Sequence, residues 1–475
     1  MASRPGILTD WPWKPLGSFK YVILAPWVVH STYSVLVKDK NERDISTFLI
    51  FPFLLWRMLH NQIWISFSRY RTAKGNNRIV DKGIEFDQVD RERDWFHSLH
   101  HTQFRTNYSL FMPFYDLIYG TMDKASDELH ETSLKRKEET PNVVHLTHFT
   151  TPESIYHLRI GFAYLAAKPY TSKWYLWLMW PVTAWSMLLT WVYGRTFIVE
   201  RNRFDDKLNL QTWALPKYSV QYFLEWQKVA INKMIEEAIL DADKKGIKVV
   251  SLGLMNQGEE LNMYGGLYVS KHPKLNVKVV DGSSLVVAVV LNTIPKGTTQ
   301  VLLRGKLTKV AYAIAFTLCQ QGIQVATMHE DDYVNLKKSL TNSSDENLVK
   351  EKNCTQTVWL VGDGFTEEEQ MKAPKGTLFI PYSQFPPKKH RKDCSYHYTP
   401  SMLTPTSIEN VHSCEDWLPR RVMSACRIAG ILHSLEGWSE HECGYKMNNV
   451  DKVWHSALQH GFQPLTVPLK KLAHY

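Results

Sequence analysis

Twenty consecutive residues without a charge, Trp174 to Tyr193 (WYLWLMWPVTAWSMLLTWVY), set the first limit on how this chain folds. A helix of that length spans about 30 Å, the hydrocarbon thickness of a bilayer. The run reads as a spanning or deeply embedded helix, kinked at Pro181. Its five tryptophans also suit a membrane interface. A second uncharged run, the 17 residues Tyr21 to Val37, is at the short end for a span. Pro26 and His30 inside it fit a kinked or re-entrant helix. Phe48 to Trp56 is apolar, and Arg57, His60, Asn61 and Gln62 then supply a polar face. Arg69, Arg71, Lys74, Arg78 and Lys82 follow, and the positive-inside rule turns that side toward the cytoplasm.

With 475 residues the chain is too long for one ordinary core, so two or three domains are expected. Hydrophobic residues make up 44%, which excludes a disordered chain. A net charge of +9 admits nucleic acid, an anionic membrane surface or acidic ligands. No nucleic-acid motif is present, and the longest basic cluster, Lys388 to Lys392, follows a Pro-Pro turn and reads as a solvated loop; no nucleic-acid partner is expected. Six cysteines lie between Cys319 and Cys443 without a CxxC pair, which points to reduced thiols in a cytosol-facing domain. The N-terminal MASRPGILTDWPW lacks the apolar core of a signal peptide.

Beyond Phe204 the pattern changes. Residues 205–220 read as a polar, Pro-containing connector, and Glu225 to Lys245 as a helix stopped by Gly246. Short apolar runs at Lys248–Leu254, Val277–Val280, Gln300–Leu303, Gln324–Thr327, Thr357–Val361 and Thr377–Ile380 predict buried strands. Helical patterns cover Ser284–Asn292, Lys306–Gln321, Trp417–Leu435 and Val450–His460. Such alternation predicts an α/β domain with a mainly parallel, Rossmann-like sheet. Thr341–Glu351 reads as a mobile surface loop. The βαβ stretch LLRGKLTKVAYAIAFTLCQQGIQV has Gly305 alone in its turn and not GxGxxG, which favours a structural unit over a pyrophosphate site. Gly362, Asp363 and Gly364 form a second strand-end turn.

The sharpest chemical motif is FHSLHH. On a helix His97, His100 and His101 fall at i, i+3 and i+4, one face, and imidazoles in that array suit iron, zinc, copper or nickel. His145 and His148 in VVHLTH could add donors only if the fold brought them in; LTHFTTP reads better as a structural turn. His412, Cys414, Glu415, His433, Glu436, His441, Glu442 and Cys443 gather near the end, but without the spacing of a zinc site.

The string HSLHHTQFRTNYSLFMPFYDLIYGTMD resembles the final histidine box and trailing segment of the fatty acid hydroxylase superfamily. TDWPWKPLGSFKY, FPFLLWRMLHNQIWISFSRY, RIVDKGIEFDQVDRE, LTHFTTPESIYHLRIG and LGLMNQGEELN look like the plant ECERIFERUM-type very-long-chain aldehyde decarbonylases. LFIPYSQFPP, VHSCEDWLPRRVMSA and ILHSLEGWSEHECG are similar to the WAX2 C-terminal domain of that family. The resemblance implies an α-helical membrane region, partly fatty acid hydroxylase-like, joined to the α/β domain. Its divisions are residues 1–94, membrane-proximal helices; 95–204, a remnant of the hydroxylase domain; and 205–475, the WAX2-like domain. It implies cuticular-wax alkane formation from very-long-chain aldehydes in the endoplasmic reticulum membrane, with the C-terminal domain facing the cytoplasm. It also implies a di-iron cofactor ligated in part by His97, His100 and His101, membrane lipids around the chain, a cytochrome-type electron donor and related wax-synthesis subunits. One departure stands out. In the family a segment like FDQVDRERDW leads into helices with further histidine boxes, whereas here Trp95 runs straight to Phe96 and His97. Three imidazoles cannot fill two iron shells, so the expected alternative is a catalytically silent membrane partner or regulator of the alkane-forming complex.

Overall fold

The computed structural model describes residues 140–151, 194–205, 207–340, 345–351, 354–409 and 421–465, with isolated positions elsewhere. The chain divides into two compact units, Met1–Glu138 and Glu139–Tyr475, and nearly all described residues lie in the second. His97, His100, His101 and most of the two uncharged runs fall outside them, although Val29, His30, Trp180, Leu188 and Trp191 are helical. Among the described residues no helix is long and apolar enough to cross a membrane.

The first sheet of the second unit contains β1 (Val143–Phe149), β2 (Phe197–Phe204), β3 (Leu208–Tyr218), β4 (Val249–Leu252) and β5 (Lys278–Val280), in the order β2-β3-β1-β4-β5. β3, β1, β4 and β5 run parallel, and β2 is an antiparallel edge. Strands read on the sequence as a connector and a turn thus hold the middle of the sheet, with β1 buried along its whole length. β3 escapes notice because Gln211, Thr212 and Lys217 are buried in it beside the apolar residues. Its Pro216 sits where the register with β1 shifts, the place a strand tolerates a missing N–H. Helix α1 (Glu225–Lys244) covers one face, burying Ile231, Ile235, Ala238, Ile239 and Ala242 at helical spacing against Val144 and Leu146. Each isoleucine contributes about 2 kcal/mol or more by leaving water.

The second sheet is wholly parallel: β6 (Gln300–Arg304), β7 (Gln324–Thr327), β8 (Leu348–Lys350), β9 (Val358–Val361), β10 (Leu378–Pro381) and β11 (Ser395–Tyr396) in the order β11-β10-β9-β6-β7-β8. Numbered within the sheet this is 3-2-1-4-5-6, the doubly wound order, with its reversal between β6 and β9. Edge strand β8 falls inside the stretch read as a loop. A small antiparallel sheet joins β12 (Ser401–Leu403), β13 (Val422–Ser424) and β14 (Gln463–Pro464).

Helix α2 (Ser283–Thr293) links the two large sheets. Its sequence SSLVVAVVLNT is apolar all round, the mark of a helix without a solvent face. Leu285, Val286, Ala288 and Val289 enter the core of the first sheet; Val287 and Val290 enter that of the second. Helices α3 (Lys309–Gln320) and α4 (Glu330–Ser339) carry the crossovers β6–β7 and β7–β8, while α5 (Ala425–Glu436) and α6 (Val450–Gln459) return the chain to the first core beside α2.

Candidate functional site

Both large sheets turn their carboxyl ends toward the same region, where α2 and α3 begin. After β5 the chain reads Asp281-Gly282-Ser283-Ser284; Gly282 has φ +75°, and a Cβ there would also lie 2.6 Å from Cys426 Cα, so both backbone and space call for glycine. The Asp281 carboxylate accepts from Ser283 N at 2.9 Å, and Glu442 accepts from Ser284 N at 2.9 Å. Two carboxylates thus cap the start of α2, where its dipole is positive. Lys309, the first residue of α3, pairs with Asp281, donates to Gly444 O at 2.8 Å and lies 5.1 Å from the Tyr264 ring centre. His433 from α5 meets the second oxygen of Glu442 at 2.8 Å, and Asn448 donates to the same oxygen at 3.1 Å. Asp281, Glu442 and His433 are buried, as is Lys309.

Burial pushes the Asp281 carboxyl up to about 6; Lys309 pulls against the rise and the Glu442 charge adds to it. Burial also works to raise Glu442, but the bond from His433 and the Ser284 amide outweigh it and hold that carboxyl below its ordinary value. Burial drives the Cys443 thiol up to about 12, so it is an unreactive proton-bearing group. The cluster is a charged clasp across the two sheets. The sequence shows its parts as DGSS at a strand end and a Lys just inside a helix, but not their meeting.

At the reversal point of the second sheet the crevice is filled by the chain. Gly305 has φ +119°, and a Cβ on it would lie 2.7 Å from the Gly362 backbone. Gly362 N donates to Arg304 O at 2.8 Å, and Tyr382 caps the turn through its hydroxyl to Lys306 O at 3.2 Å. A Cβ on Gly362 would overlap the Tyr382 ring. These glycines allow two backbones to touch, and Arg304 is held by Glu369 at 2.6 Å and Asp332 at 3.2 Å.

The strand conformation of β1 settles the two central histidines. Three residues apart on a strand, His145 and His148 face opposite sides of the sheet and cannot share an ion. His145 bonds Ser251 Oγ through Nδ1 at 2.8 Å. His148 donates from Nδ1 to Phe149 O at 2.8 Å and accepts the Met255 N–H at Nε2, 3.2 Å away, so neither nitrogen is left over. Burial lowers both imidazoles, His148 to about 4. Near the C-terminus, His441 Nδ1 accepts from Val279 N at 3.1 Å, and Glu436 binds Ser456 and His460. Among the described residues no three His, Cys, Asp or Glu are placed to hold a metal. His412 and Cys414 lie outside them.

Residues 301–464 match the family described as CER1-like, C-terminal domain. The very-long-chain aldehyde decarbonylase CER1 of Arabidopsis thaliana is 45% identical over 624 aligned positions, which take in 98% of this chain and 100% of the relative. The very-long-chain aldehyde decarbonylase GL1-5 of Oryza sativa subsp. indica is 45% identical over 619 positions, again 98% of this chain and 100% of the relative. Protein CER1-like 2 of Arabidopsis thaliana is 44% identical, with 98% and 99% covered. Since this chain has 475 residues, 624 aligned positions leave at least 149 of them without a counterpart here. A D-lactate dehydrogenase from Treponema pallidum superposes with a TM-score of 0.17 at 12% identity over 31% of this chain and 53% of that one, too little to bear on the fold.

Proposed function

This chain belongs to the family of very-long-chain aldehyde decarbonylases, and on that premise we propose that it serves the conversion of very-long-chain aldehydes to alkanes in cuticular-wax synthesis. The observation that carries the reading is 45% identity spread over 98% of the chain. The substrate is a very-long-chain aldehyde, and the setting is the endoplasmic reticulum membrane with the α/β unit on the cytoplasmic side. Residues 1–94 and the uncharged segment 174–193 supply the helical membrane region, in contact with lipid. His97, His100 and His101 are the metal-binding part. Iron in this family's chemistry supplies the oxidising centre, with electrons from a cytochrome-type donor.

The residues present do not complete a di-iron site. Three imidazoles fall short of two iron shells; His145 and His148 lie on opposite faces of a buried strand, with His145 Nδ1 on Ser251 and both nitrogens of His148 bonded. No reaction step is therefore assigned through iron in this chain.

The 149 or more positions without a counterpart favour a second reading: a catalytically silent membrane partner of the alkane-forming complex and its wax-synthesis subunits. One experiment separates the two. Membranes carrying this chain alone, and this chain with an intact family member, are given a very-long-chain aldehyde and alkane is measured. Alkane from the chain alone establishes the enzyme. Alkane only with the intact member, in an amount that rises with this chain, establishes the partner. Iron content of the purified chain below one atom per molecule would agree with the partner role.

A further inference from the structure

The start of α1 and the turn before it expose an unusual run of large apolar side chains. Val220, Phe223, Leu224, Trp226 and Val229 all face outward, with Phe223 69% exposed, Trp226 62% and Val229 78%. The inner face of the same helix is satisfied by Ile231 and Ile235, so these residues are not needed for the core. Scattered single apolar residues are ordinary on a surface, but five within ten positions make a patch that needs a partner.

We infer that this patch is an interfacial membrane contact, which seats the α/β unit on the bilayer surface beside the segment 174–193. Three observations favour lipid. Trp191, at the end of that uncharged segment, packs on Trp226 with ring centres 5.8 Å apart, so the patch is continuous with the part of the chain best suited to the bilayer. Leu188 and Trp191 are themselves exposed, extending the apolar surface along the same line. The chain carries +9 overall, which complements anionic headgroups, while the patch itself carries both signs: Arg195 and Lys233 are exposed, as is Glu225, and Lys233 pairs with Glu237 at 3.9 Å. Exposed tryptophan and phenylalanine beside charged residues on one helix suit a position at the headgroup boundary. The inference rests on the membrane reading of 174–193 and is independent of the metal chemistry.

The test uses the full chain in phosphatidylcholine–phosphatidylserine vesicles. Phe223→Cys carries an environment-sensitive fluorophore, Met371→Cys serves as an exposed site away from the patch, and the labelled parent gives the background of native thiols. The expected result is that the probe at 223 loses most of its emission to bromine-labelled lipid and little to aqueous iodide, with the reverse at 371. Replacing Val220, Trp226 and Val229 together by serine shifts the 223 probe to the aqueous pattern. Iodide quenching at 223 in the otherwise native chain overturns the proposal, because the patch then faces water. Protection from both quenchers also overturns it, because protein covers the patch. Alkaline carbonate extraction is run alongside. A chain that stays in the membrane while the 223 probe ignores lipid refutes the patch alone; a chain that washes off without lipid quenching refutes the membrane reading of 174–193 as well.

Discussion

At the carboxyl end of the first sheet, polar and charged groups meet: Asp281 with Lys309, and Glu442 with His433, all buried. At the corresponding end of the second sheet, Gly305 and Gly362 press two backbones together under Tyr382. Two sheets in one unit thus close the same position, the carboxyl ends of their parallel strands, by different physics. The first closure depends on every charge keeping its partner, since an unpaired buried ion is expensive. The second depends on the absence of two Cβ atoms, a backbone contact that carries no charge of its own.

Removing one charge tests that contrast most strongly. Lys309→Met leaves Asp281 without its cation and is expected to cost about 3–5 kcal/mol. Amide hydrogen exchange at β5 and β6 in the full chain reads the loss locally. Because Asp281 escapes by taking a proton, the loss should be smaller at pH 5 than at pH 8, and Asp281→Asn added to Lys309→Met should recover much of it. Equal losses at both pH values would remove the charge account of the clasp.

The pH profile of the parent is set by groups of opposite sign, His148 and its strand neighbour His145 on one side and Asp281 on the other. His148 is held near 4 where an unfolded histidine titrates near 6.5. Its contribution is present above 6.5 and declines as pH falls toward 4, by about 3 kcal/mol in total. Asp281, raised to about 6, behaves conversely: its contribution is present below the ordinary carboxylate range and is lost as pH rises through 6. Exchange protection of β1 should therefore weaken from pH 7 to 5 in the parent and change less in His148→Gln. Asp281→Asn should steepen that acid loss.

On the second sheet, Gly362→Ala forces Tyr382 aside and should cost about 1–3 kcal/mol, equally at all these pH values. Urea unfolding of the full chain in detergent measures it; a cost that varied with pH would blur the distinction between the two closures. The smallest effect belongs to the exposed bond from Tyr445 to Glu259, 2.8 Å long. Tyr445→Phe should change stability by less than about 0.5 kcal/mol. A larger loss would shift the bracing of this region from the buried clasp to its rim.

The apolar runs at Gln300, Gln324, Thr357 and Thr377 were readable as strands because each is short, buried on both faces and bounded by polar or glycine residues; β6, β7, β9 and β10 lie within those runs or within a residue of them. The helices α1, α2 and α6 likewise begin and end within a residue or so of their patterns. Trp417–Leu435 was less legible: the chain forms β13 first and α5 starts only at Ala425. β1 and β3 were missed because histidine, threonine, glutamine and lysine are buried in them, and polarity on a sequence looks like exposure. α4 was missed because its charged first turn and few apolar residues give a weak period; it buries Leu336 alone.

What the sequence by itself determined is local and periodic: the uncharged runs, the alternation of strand and helix, the i, i+3, i+4 spacing of three histidines and the strings that carry the family likeness. Tertiary structure alone decided which polar groups became interior. Asp281 and Lys309 stand 28 positions apart, and Glu442 bonds Ser284 across 158. Strand pairing likewise turned His145 and His148 to opposite faces. Periodicity specifies which side of an element is apolar, but the partner that satisfies a buried charge is chosen only when distant segments are brought together, because the cost of burial exists only once water has been excluded.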